Sequence, residues 1–114
     1  MPCITVSSNF QLEESVRSDF QKGLVQIAKD VLSKPEHSVM ILFDSKSDIY
    51  FVQSYDPALF IQFKSIGLQD EATSVLSDKI CTMAEGLFKV SPERIYIEFA
   101  NVSGTMWGWN KRTF

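Results

Sequence analysis

Pro35-Glu36-His37-Ser38-Val39-Met40-Ile41-Leu42-Phe43 and Pro92-Glu93-Arg94-Ile95-Tyr96-Ile97-Glu98-Phe99 read as two versions of one pattern. In each, a Pro-Glu pair leads into a run rich in β-branched and aromatic residues, the signature of a turn followed by a strand. The two Pro-Glu pairs stand 57 positions apart, at 35 and 92. The same offset sets Ile4-Thr5-Val6 against Ile61-Gln62-Phe63, and Glu13-Glu14 against Asp70-Glu71. One such match arises by chance, whereas four in register indicate an internal repeat. Each copy reads strand, helix, strand, so the 114 residues form one domain with halves of about 2–57 and 58–114.

The elements between the repeats follow from apolar spacing. Val16, Phe20, Leu24, Ile27 and Val31 fall at helical intervals between Glu13 and Leu32, and Ala72, Leu76, Ile80, Met83 and Leu87 do so between Asp70 and Phe88. Acidic residues open both helices, where they complement the positive end of the dipole. Pro35 and Pro92 follow the helix ends, where proline cannot continue a helix. Strands are predicted at 3–7, 38–43, 58–66 and 95–99. Strand–helix–strand units are right-handed, so two joined pseudo-symmetrically place both helices on one face of a four-stranded sheet. The fold class is therefore α/β, with two βαβ repeats. Strand 38–43 is apolar on both faces: Val39, Ile41 and Phe43 on one, Met40 and Leu42 on the other. Two helices cover only one of those faces, and another copy of the chain is the simplest cover for the second.

Composition narrows the function classes. A hydrophobic content of 45% with 12% aromatic residues supports a packed core, and a net charge of −3 argues against a nucleic-acid footprint. No apolar run approaches the roughly 18 residues of a membrane span, and no secretory leader is legible at the start. The expected location is the cytoplasm. Cys3 and Cys81 are too few and too distant in sequence for a disulfide framework. His37, the only histidine, sits in a turn without partners for metal binding or base catalysis. Asp44, Lys46 and Asp48 mark a solvated turn.

Five short pieces, in order, then match a known pattern. They are Pro2 behind Met1, Ser33-Lys34-Pro35, Ser65-Ile66-Gly67, Ser91-Pro92-Glu93-Arg94-Ile95-Tyr96-Ile97, and Trp107-Gly108-Trp109-Asn110 with Thr113-Phe114. Over nearly its full length the chain resembles the macrophage migration inhibitory factor family. That resemblance implies a homotrimer with active sites between neighbours. It also implies keto–enol tautomerisation of arylpyruvates such as phenylpyruvate and of dopachrome-like compounds, without cofactor or metal. Some members act outside cells without a signal peptide. A cytokine-like factor that binds a protein receptor, with a vestigial pocket, is the competing expectation.

The resemblance assigns roles residue by residue. Pro2 becomes the general base once Met1 is removed, because a free secondary amine accepts a proton and an internal proline amide does not. Lys34 taken alone would answer the helix dipole. The resemblance makes it the cation that holds the substrate carboxylate and disfavours protonation of the amine. At about 6 Å and an effective dielectric of about 20, that repulsion amounts to about 2.8 kcal/mol. Ile66, Tyr96, Trp109 and Phe114 match pocket positions, Ile66 through its backbone. Glu98 stands where many members carry asparagine. At about 8 Å its carboxylate would oppose Lys34 by about 2.1 kcal/mol, unless it faces solvent or pairs with another residue. Ser38 replaces an aromatic residue. Ala58 and Ile61 occupy the positions of a C-x-x-C pair found in the family, so no thiol chemistry carries over; both cysteines read as packing residues.

Overall fold

The computed structural model describes residues 1–114. Four strands and two helices alternate as β1 (Pro2–Ser8), α1 (Glu14–Leu32), β2 (Met40–Asp44), β3 (Leu59–Ile66), α2 (Asp70–Phe88) and β4 (Ile95–Val102). Two short strands, β5 (Gly108–Trp109) and β6 (Arg112–Thr113), follow. The sheet order is β2-β1-β3-β4. β1 pairs in parallel with β2, β3 in parallel with β4, and β1 meets β3 antiparallel. Each repeat is thus a parallel pair joined through its own helix, and the antiparallel seam relates the two halves.

The helices lie against one face of this sheet and against each other. Ile4 and Val6 from β1 and Leu59, Ile61 and Phe63 from β3 meet Phe20, Leu24, Leu76 and Ile80 in the core. The middle of each helical stripe is buried, Phe20 and Leu24 on α1 and Leu76 and Ile80 on α2, together with Ala28 and Ala84, while the outer stripe residues are partly buried. On the opposite face, Met40, Leu42 and Tyr96 are exposed by 61%, 46% and 62%. The chain alone leaves apolar area uncovered there, as the two-faced strand anticipates.

All four strand boundaries shift from expectation, β1 by one residue at each end and β3 by one residue at its start. Residues Glu36–Ser38 form a 3-10 turn, so β2 begins at Met40 rather than at 38. The cause is local: Ser38 donates through both its amide and Oγ to the Pro35 carbonyl, at 3.0 and 2.7 Å, before β2 takes up its ladder with β1 at Cys3↔Met40. β4 runs on to Val102 because its partner β3 extends to Ile66. The C-terminal tail is also more ordered than its sequence suggests. Asn110 and Lys111, at φ 52° and 69°, close a two-residue hairpin between β5 and β6. Phe114 then returns its amide to the Gly104 and Trp107 carbonyls, at 3.0 and 3.3 Å. A Cβ at residue 104 would stand 2.8 Å from the Phe114 carbonyl oxygen, so only glycine admits this closure.

Candidate functional site

The site lies at the end of the sheet where β1 starts and β3 stops. Pro2 is the first residue of β1, lies opposite Ser65 in the antiparallel register, and has a fully buried ring. α1 ends at the same edge. Ser33 adopts the left-handed conformation (φ 56°) and its amide donates to the Lys29 carbonyl at 3.0 Å, an αL closure, while the Lys34 amide reaches back to the Ala28 carbonyl at 3.2 Å. This turn directs Lys34 away from its own helix. Its Nζ donates to the Ile66 carbonyl at 3.1 Å, so the lysine bridges α1 to β3 rather than capping α1. Past Ile66, Gly67 takes φ 71°, a conformation that suits glycine.

A cavity of about 470 Å³ opens over these groups, lined by Met1, Lys34, His37, Ile66, Trp109 and Phe114 among others. Trp109 and Phe114 stack with centroids 6.0 Å apart and planes inclined by 10°, and the Arg112 guanidinium lies 5.8 Å from the Trp109 ring. The β5–β6 hairpin and the closed tail present both rings to the cavity. A second cavity of about 530 Å³ adjoins it, lined by Pro2, Cys3, Val39, Met40 and Trp107. Met1, His37, Ser38 and Trp109 border both.

The N-terminal amine, carried here by Met1, sits between the two cavities. Burial lowers its pKa from the usual 8.0, and the charge on neighbouring Lys34 lowers it further. A proton acceptor beside a fixed cation, with a flat aromatic wall opposite, can remove a proton from carbon next to a carbonyl and hold the anion that forms. No group of three or more His, Cys, Asp or Glu side chains is arranged to hold a metal.

The structure brings Lys34, Ile66, Trp109 and Phe114 to one cavity and Pro2, with Trp109, to the adjoining one. It does not bring Tyr96 or Glu98 to them within one chain. In the register, Glu98 pairs with Gln62 and Gln62 with Thr5, three residues beyond Pro2. Strand geometry then sets Glu98 about 14 Å from Pro2, and Tyr96 about 19 Å away. At that separation an exposed carboxylate is largely screened, so the closer approach assumed for Glu98 does not occur inside a single chain. Glu98 instead accepts a hydrogen bond from Gln62 Nε2 at 3.2 Å. Tyr96 packs on Phe51 at 4.4 Å and borders a separate cavity of about 460 Å³ with Ile49 and Tyr50.

Several residues escaped the sequence reading. His37 borders both cavities, although its turn position gave no sign of it. Ser65 is fully buried beside Pro2, and its Oγ has no hydrogen-bond partner. Cys3 is half-buried and lines the second cavity, whereas Cys81 packs against the core and burial raises its thiol pKa. Arg94 donates to the carbonyls of Phe51, Ser54, Asp56 and Pro57 and so shapes the segment between β2 and β3.

With this geometry described, comparison with known proteins is informative. The family model for macrophage migration inhibitory factor matches residues 1–114. A macrophage migration inhibitory factor homolog from Trichinella spiralis is 30% identical over 115 aligned positions, spanning all of both chains. The crystal structure of a homologue from Prochlorococcus marinus superposes with a TM-score of 0.90 at 28% identity, covering 98% of each chain. The macrophage migration inhibitory factor of Toxoplasma gondii gives 0.92 at 25% identity, over 98% of this chain and 99% of that one. By full-length sequence match and by fold, the chain belongs to the macrophage migration inhibitory factor family.

Proposed function

We propose that the chain, once Met1 is removed, is a cofactor-independent keto–enol tautomerase of arylpyruvates such as phenylpyruvate and of dopachrome-like compounds. The observation that carries this reading is the convergence of three groups on one cavity: the N-terminal amine, carried here by Met1 next to Pro2 and lowered in pKa, the Lys34 ammonium, and the stacked Trp109–Phe114 wall. Family membership supports it. In this mechanism the substrate carboxylate pairs with Lys34. The Pro2 amine takes a proton from C3, and the C3–H electron pair becomes the C2–C3 double bond. The C2 oxygen becomes an enolate beside Lys34, and protonation there gives the enol; the reverse sequence returns the ketone. Lys34 serves twice, since the cation that receives the anion also disfavours protonation of the amine.

The same reading includes a homotrimer. The exposed apolar residues Met40 and Leu42 on β2 and Tyr96 on β4 support burial of the open sheet face between copies. Tyr96 and Glu98 then act in a neighbour's pocket rather than in their own. A second reading, a cytokine-like factor that binds a protein receptor, draws support from family membership and from Tyr50, Val52 and Tyr55, which are exposed by 63%, 61% and 71%. A phenylpyruvate enol–keto assay on the Pro2-initiated chain separates the two. Turnover with a mass of three chains by light scattering is expected. A folded trimer without turnover would favour the binding factor.

A further inference from the structure

Three serines are buried: Ser8, Ser38 and Ser65. Ser8 Oγ donates to the Phe10 carbonyl at 2.8 Å, and Ser38 Oγ to the Pro35 carbonyl at 2.7 Å. Ser65 Oγ bonds to nothing, although the residue is fully buried and buried hydroxyls are nearly always paired. The register supplies a cause. Ser65 lies directly opposite Pro2, and both side chains point to the helix-covered face, in phase with Ile4 and Phe63 of the core. Residues paired in this way hold their Cβ atoms about 4.5–5.5 Å apart, which brings the hydroxyl within reach of the proline ring nitrogen. With Met1 attached, that nitrogen is an amide with no N–H to donate and no basic lone pair. Removing Met1 turns it into a secondary amine that has both.

We propose that Ser65 is a positioning residue: once Met1 is removed, the Pro2 N–H donates to Ser65 Oγ, which turns the nitrogen lone pair away from the core and towards the substrate. The catalytic consequence rests on the tautomerase reading; the hydrogen bond does not. Ser65 lines neither cavity at the site, so it acts only through the amine. Its strand is held on both sides. The neighbouring Ile66 carbonyl accepts from Lys34 Nζ at 3.1 Å, and Asn101, the partner of Ser65 on β4, accepts from the Leu68 amide at 3.1 Å through Oδ1. A hydroxyl on so fixed a support can hold a small amine in one orientation. The helix-covered face is complete within one chain, so association of copies leaves this pair unchanged.

The test compares chains starting at Met1 and at Pro2, each with Ser65 intact and with Ser65→Ala, by denaturant unfolding at fixed chain concentration. With Met1 attached, the substitution should leave the folded-to-unfolded ratio unchanged or raise it. In the Pro2-initiated chain it should lower that ratio roughly threefold to tenfold, the worth of one neutral hydrogen bond. Ser65→Cys, close in volume but a weak acceptor, should repeat the pattern and replaces Ser65→Ala if that variant does not fold. Equal effects in the two backgrounds would overturn the bond. Phenylpyruvate kinetics on the Pro2-initiated chain read the role. Ser65→Ala should lower kcat roughly threefold to tenfold while KM changes less than about twofold. The acid limb should move to lower pH, the reverse of losing Lys34, because the protonated amine gives up the stronger, charge-assisted bond. A kcat and an acid limb that both stay in place in an active enzyme would overturn the positioning role. A stability effect confined to the Pro2-initiated chain, without turnover by the wild type, would support the bond and overturn the tautomerase reading.

Discussion

Replacing Lys34 with methionine keeps the length of the side chain and removes its charge, so it isolates what the cation contributes. Lys34 is half-buried and makes one hydrogen bond, to the Ile66 carbonyl at 3.1 Å. Losing a charge-assisted bond of this kind costs about 1.5–3 kcal/mol where nothing compensates. Here the acceptor is a backbone carbonyl near an open cavity that water can reach, so the stability loss should lie at or below about 1.5 kcal/mol. The chain should remain folded at 25 °C. The effect on substrate is larger, because the carboxylate loses its only cationic partner in the cavity. A charge-assisted bond worth about 1.5–3 kcal/mol converts to a KM increase of roughly tenfold to a hundredfold. The methyl ester of the same substrate should show little change. A second effect has the opposite pH signature. In the Met1-bearing chain the amine's pKa is lowered by burial and then by Lys34, and a Pro2 amine beside the same cation should have its pKa raised when the cation is removed. A raised pKa leaves less free base at low pH and the same amount at high pH. The wild-type advantage in kcat/KM should therefore be greatest in the acid limb and narrow, as pH rises, to the binding factor alone. The assay is steady-state phenylpyruvate tautomerisation across pH on Pro2-initiated protein. An unchanged KM would refute contact between Lys34 and the carboxylate. A wild-type-to-variant ratio independent of pH would refute its action on the amine.

Other residues give separate tests. Arg94→Ala should cost about 2 kcal/mol by denaturant unfolding at fixed chain concentration, since four carbonyls between Phe51 and Pro57 lose one rigid fork of donors. Arg94→Lys should recover less than half of that, because a lysine head cannot span the same acceptors. Ser65→Ala in the Met1-bearing chain should be neutral or stabilising by up to about 1 kcal/mol, as it removes a buried hydroxyl that has no partner; a loss larger than that would show the hydroxyl to be bonded. Glu98→Asn should raise kcat/KM for phenylpyruvate about threefold to tenfold while leaving the methyl ester unaffected, the size expected for about 1 kcal/mol of exposed-charge repulsion. No change with either substrate would remove Glu98 from a neighbour's pocket.

The fold was legible because its determinants are local and occur twice. The apolar stripes of α1 and α2, the acidic helix starts and the Pro-Glu turns each carry a period or a stop signal that survives in one dimension. The repeat also fixed which strands pair in parallel, since each half closes through its own helix. Ser38 was assigned to β2 because the run of apolar residues begins beside it; its hydroxyl and amide instead close a turn on Pro35, a local competition that periodicity does not register. The β5–β6 hairpin was not legible for a similar reason. Trp107, Gly108 and Trp109 have the composition of packing residues, but their order depends on left-handed backbone at Asn110 and Lys111 and on the tight approach of Phe114 to Gly104.

The candidate site was legible only in part. Lys34 and Ile66 lie 32 residues apart and meet because α1 and β3 end at one edge of the sheet, which the topology explains and the sequence alone does not. His37 reaches the cavity through the same turn that misled the strand boundary. Tyr96 and Glu98 share the open face of β4, as their alternation with Ile95, Ile97 and Phe99 requires, yet the register sets them far from Pro2. Only a second copy of the chain could bring them to an amine, and the sequence pointed to such a copy through the two apolar faces of strand 38–43, without showing which residues it would bring.

The central claim is that a free amine on Pro2 is the base. While Met1 is attached, the Pro2 nitrogen is an amide without a basic lone pair, and Met1 borders both cavities at the site. The decisive measurement is phenylpyruvate tautomerisation by two preparations of the same chain, one starting at Met1 and one at Pro2, with each N-terminus verified by mass spectrometry. The account predicts turnover only from the Pro2-initiated chain, with an acid limb governed by a single group. Equal turnover from both preparations would contradict it and remove Pro2 as the catalytic base.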